Sequence, residues 1–102
     1  MPYIKQEDRK NLDHYIDMAV NALRKESPAI IGRAGLVNYV ISRIVANCMK
    51  PKQGWSYASL SRAVGILEDA AHEMRRRLMN PYEDECIERN GDIKEYEKDT
   101  EV

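Results

Sequence analysis

From Tyr57 onward, apolar side chains recur in alternating steps of three and four: Tyr57, Leu60, Val64, Leu67, Ala71, Met74 and Leu78. That spacing predicts one long helix over 57–79 carrying a heptad stripe, which needs a second helix, from the same chain or another copy, to cover it. Ser56 suits the N-cap, its hydroxyl accepting from a free backbone amide. Trp55 and Leu60 have the spacing of a hydrophobic staple. At 1.5 Å per residue the helix spans about 34 Å, against about 22 Å for the helix before it. The excess predicts pairing with a second subunit through the Tyr57–Leu78 helix.

The rest of the chain also reads as helix. Residues 8–25 place Leu12, Tyr15, Ile16, Ala19 and Leu23 on one stripe, and Ser27-Pro28 stops it. Ile30, Ile31 and Gly32 read as a short apolar link. A helix over 35–49 follows with two adjacent stripes, Leu36, Val40, Ile44, Cys48 and Val37, Ile41, Val45, Met49. That is too wide for one-sided burial, so it predicts a central helix contacted on two sides. Lys50–Gly54 reads as a loop. Asn80-Pro81-Tyr82-Glu83 predicts a break, with Pro81 ending the long helix and an Asn80/Glu83 capping box opening a short helix over 81–89. Asn90-Gly91 closes that helix with a left-handed turn. The expectation is an all-α bundle of three main helices plus a short C-terminal one, a single domain over 1–92, and a charged, fraying tail over 93–102.

Net charge is −1 over 102 residues, but it is unevenly placed. No Asp or Glu occurs from Ser27 through Leu67, a stretch that carries Arg33, Arg43, Lys50, Lys52 and Arg62. From Glu83 onward nine acids stand against three bases, so that segment is −6 and the rest of the chain +5. A basic middle attracts phosphates; it is equally suited to neutralisation by the acidic tail, within a chain or between subunits. No apolar run approaches the roughly 20 residues of a membrane span, and MPYIKQEDRK has no apolar export core. A cytoplasmic protein with free thiols at Cys48 and Cys86 is expected, with one disulfide between them left open.

Candidate chemistry is sparse. Tyr39, Trp55 and Tyr57, beside Arg43, Lys50 and Lys52, have the make-up of a stacking surface with a cationic rim for a nucleotide-like ligand; such aromatics more often serve as core and staple residues. Glu68, His72 and Glu73 place carboxylates and an imidazole at helical spacing, a partial metal-ligand set. HEMRR lacks the second His of the zinc motif, and ion pairing with Arg76 and Arg77 is the plainer use. Arg75-Arg76-Arg77 complements the negative end of the helix dipole, with Glu83-Asp84-Glu85 as partners across the Pro81 turn. The segment Tyr57–Leu78 also reads as a helix-turn-helix DNA reader if it breaks near Gly65. No phosphate loop, catalytic triad or cofactor motif is evident, so no cofactor is expected.

The opening MPYI, NYVISR (Asn38–Arg43), YASLSRAVGILEDA (Tyr57–Ala70) and the PYED…NGD pattern (Pro81–Asp84, Asn90–Asp92) resemble a family of small uncharacterised phage and bacterial proteins. The resemblance covers most of the chain and brings no catalytic residue with it. It implies a cytoplasmic protein that works by binding a nucleotide, a protein or nucleic acid. The leading expectation is therefore a non-enzymatic, self-associating helical module for an anionic partner. The alternatives are a helix-turn-helix DNA binder, a metal-dependent nucleotide hydrolase, and a structural adaptor with no small ligand.

Overall fold

The computed structural model describes residues 2–97. The fold is all-α, with three main helices and a short C-terminal one: α1 (Gln6–Glu26), α2 (Ile30–Met49), α3 (Tyr57–Met74) and α4 (Asn80–Asn90). A π-helical turn, Arg75–Met79, joins α3 to α4, and a single 3-10 turn occupies Lys94–Tyr96. Residues 98–102 of the expected tail lie outside the described residues. The chain divides into two units, Met1–Leu67 and Glu68–Val102. No described helix is long and apolar enough to cross a membrane.

In the first unit α1 starts at Gln6, where Pro2 no longer restricts the backbone. The Asp8 amide donates to the Lys5 carbonyl at 3.0 Å, and Arg9 Nε donates to the Ile4 carbonyl at 2.9 Å. Glu7 and Asp8 lie in the first turn and Arg24 and Lys25 in the last, each sign facing the end of the helix dipole that favours it. Ser27 caps the C-terminus, its amide donating to Leu23 O.

The expected link at Ile30, Ile31 and Gly32 is instead the first turn of α2, which starts five residues earlier than the spacing suggests. Two β-branched residues and a glycine are weak helix formers, but the turn is held from outside. Arg33 Nη2 donates to the Pro28 carbonyl at 2.9 Å and the Arg33 amide to the Ala29 carbonyl at 3.2 Å. Gly32 also leaves room for the Ser27 hydroxyl, which lies 2.5 Å from where a Cβ would stand.

α1 and α2 are in contact, whereas the Tyr57–Leu67 part of α3 comes within 8 Å of neither, Cα to Cα. The expectation that α2 is contacted on two sides is therefore corrected. Its inner stripe, Leu36, Val40, Val45 and Met49, is half-buried, while Val37, Ile41 and Ile44 are exposed.

Lys50–Gly54 closes by the Gly54 amide donating to the Pro51 carbonyl at 3.0 Å, with Gly54 at a φ of 102°. Ser56 caps α3 as expected, and its partner is another serine. The Ser59 amide donates to Ser56 Oγ at 3.2 Å, and the Ser56 amide donates to Ser59 Oγ at 2.9 Å. This is the reciprocal arrangement of a capping box, with Ser in the place usually held by Glu or Gln. α3 then continues unbroken through Gly65.

The second unit corrects the expected break at Pro81. Met79 and Asn80 both keep right-handed helical dihedrals, so neither ends a helix, and no side chain caps α4. Proline inside a helix lacks a donor, and its ring collides with the carbonyl four residues back. The π turn directly before it widens the backbone, and the Asn80 amide donates to the carbonyl of Arg75, five residues back. The helix passes over the proline instead of stopping. Its stop comes at Gly91, whose φ of 85° is easy for glycine and whose amide donates to Ile87 O at 2.7 Å.

Candidate functional site

The most telling property of the described residues is how little they bury. Ala63, 6% exposed, is the sole buried apolar side chain, and Ser59, 5% exposed, the sole buried polar one. Ser59 is satisfied by its cap bonds. The heptad stripe is open: Tyr57 is 87% exposed, Met74 66% and Leu78 62%, and Leu60, Val64 and Leu67 are each at least two-fifths exposed. Leu12, Tyr15 and Ile16 of α1 are open in the same way. A fully buried Leu, Met or Tyr contributes roughly 1.5–3 kcal/mol. These helices leave most of that contribution unrealised within the chain.

The cationic and aromatic candidates are mostly separate. Arg43 lies over the ring of Tyr39, its guanidinium carbon 6.0 Å from the centroid, the outer limit of a cation–π contact. The two share a shallow groove on α2 with Ile44, Asn47 and Cys48. Arg33 is engaged at the α1–α2 turn, with its Nε buried and without a hydrogen-bond partner. Lys50, Lys52 and Arg62 are exposed, and no bond among the described residues ties them to Arg43 or Arg33. Trp55 is 38% exposed beside the α3 cap. Asn38, Ser42, Arg43 and Asn47 form the polar face of α2, where Ser42 Oγ donates to Asn38 Oδ1 at 3.2 Å and Asn47 Nδ2 to the Arg43 carbonyl at 2.7 Å.

Glu68, His72 and Glu73 do not converge, since no group of three or more His, Cys, Asp or Glu among the described residues is placed to hold a metal ion. Glu73 pairs with Arg76 one turn on, through both Nε and Nη2. The helix-turn-helix reading needs a break near Gly65, and α3 has none. Cys48 and Cys86 are both free thiols.

A further groove lies entirely in the second unit. Ala71, Met74, Leu78, Met79 and Tyr82 line an open, mainly apolar groove along the continuous helix, together with Arg75 and Glu83. Its lower half is not directly legible in the sequence, where Asn80-Pro81 has the form of a helix boundary. The signal was present in the four-residue steps from Met74 to Leu78 to Tyr82, which a π turn converts into one face.

No curated protein and no solved structure matches the chain. Residues 1–93 match a domain of unknown function (DUF6899), and the chain belongs to that family.

Proposed function

We propose that this protein is a non-enzymatic helical interaction module that reaches its working form by self-association and presents a basic surface to an anionic partner. One observation carries the reading: large apolar side chains of α1 and α3, among them Leu12, Tyr15, Ile16, Leu60, Val64, Leu67 and Met74, stand open, while Ala63 is the one buried apolar residue among the described residues. Helices of this kind gain most of their stability from packing of the apolar face rather than from propensity. The acid-free stretch from Ser27 through Leu67 supports the second half of the reading. Arg43 over Tyr39, with Lys50, Lys52 and Arg62 exposed, offers cationic and stacking groups to a nucleotide-like phosphate or an acidic protein surface.

Sedimentation velocity over about a hundredfold dilution tests the first half, since assembly follows mass action. A dimer or larger species that dissociates on dilution is expected, and a monomer throughout would overturn it. For the second half, ATP and inorganic polyphosphate are titrated against the wild type and Arg43→Glu/Arg62→Glu. The double variant is expected to lose binding that the wild type shows and that salt weakens. Equal affinity in both proteins, or none in the wild type, would leave a purely structural adaptor.

A further inference from the structure

The groove of the second unit is self-complementary, and we infer that a second copy of this chain docks there antiparallel, on a two-fold axis through Met79. The inference rests on the self-association reading above and specifies its surface and direction. Arg75 and Glu83 both line this groove. They are eight residues apart, about 12 Å along a helix, and Met79 is midway between them. A helix laid antiparallel about Met79 sets each Arg75 against the Glu83 of the other copy and brings the two Met79 side chains together. A two-fold interface demands this relation, in which the same patch serves both subunits. Parallel pairing would oppose Arg75 to Arg75 and Glu83 to Glu83.

Area agrees with charge. Met74, Leu78, Met79, Tyr82 and Ile87 are between 44% and 66% exposed. Covering them in two copies removes on the order of 1,000 Å² from water, below the 1,200–2,000 Å² of standard interfaces and in the range of weak, dissociable ones. Arg75 and Glu83 are the charged pair this axis matches; it sets Arg76 opposite Tyr82 and Arg77 opposite Pro81. This arrangement exists because the helix passes over Pro81.

The test uses the full chain and sedimentation equilibrium of Arg75→Glu, Glu83→Arg and their equimolar mixture. Each single reversal places like charges at both flanks of its own homodimer and is expected to raise the dissociation constant about tenfold. The mixture restores both opposite-charge pairs and is expected to return to wild-type affinity. A second variant, Met79→Cys with Cys48→Ser and Cys86→Ser, is expected to form a disulfide-linked dimer on mild oxidation. If the wild type dimerises but both reversals and their mixture match it, or the Met79→Cys dimer does not cross-link, the antiparallel site is wrong and self-association stands. If the wild type is monomeric throughout, the self-association reading itself fails and the groove belongs to a different occupant.

Discussion

Ser59 shows how one small side chain defines a helix start here. It is buried, yet its hydroxyl and amide both exchange hydrogen bonds with Ser56, so no polar atom is stranded. Ser56→Ala removes the acceptor for the Ser59 amide and is expected to cost about 1 kcal/mol, read as a lower urea midpoint. Gly65 gives the opposite expectation. A Cβ there meets nothing within 4 Å, and the residue sits inside a continuous helix. Gly65→Ala is therefore expected to stabilise by roughly 0.5–1 kcal/mol; a loss instead would mean that a partner helix approaches closely at that point. Gly91 differs again, because its φ of 85° lies where a side chain strains the backbone. Gly91→Ala is expected to destabilise the end of α4, seen as faster amide exchange over Cys86–Asn90.

At the level of elements, the π turn is what keeps α3 and α4 one continuous helix. Replacing Pro81 by Ala removes the ring that the π turn accommodates and restores a backbone donor. It is expected to strengthen the helix by up to about 3 kcal/mol, read as increased ellipticity and a higher midpoint. Because an ordinary α-helical turn would rotate Tyr82 relative to Leu78, the same variant is also expected to weaken any association that uses the groove. The existence and type of the main helices were legible in sequence because apolar spacing, the Ser56 cap and Gly91 are local signals. The Pro81 crossing was not, since a proline after Asn has the form of a helix start and only the backbone reveals the widened turn before it. The early start of α2 was hidden for a related reason. Ile30, Ile31 and Gly32 are poor helix formers held by Arg33 and Ser27, contacts that spacing does not encode. Of the candidate site, the Arg43–Tyr39 pair was legible as helical neighbours, whereas Met79, Tyr82 and Glu83 became part of a groove only once α4 continued α3.

For the whole molecule, accessible surface is the decisive quantity. Ala63 is the one buried apolar side chain among the described residues of the two units, whereas a compact domain of about 60 residues buries roughly 60% of the surface its unfolded chain exposes. Fixing each residue costs about 1–2 kcal/mol of backbone entropy, and a core of this size does not offset it. On the proposed self-association, folding and assembly are coupled, and stability is then a property of concentration as well as of sequence. The charge distribution, −6 from Glu83 onward and +5 before it, favours association of unlike segments, so salt is expected to weaken the assembly at its charged rim while leaving the apolar contacts in place. The most direct test of this account is the thermal midpoint, followed by far-UV circular dichroism, over about a hundredfold range of chain concentration. The account predicts a midpoint that rises steadily with concentration and helicity that falls away at the dilute end. A sharp transition at the same temperature throughout, with full helicity in a monomer, would contradict it.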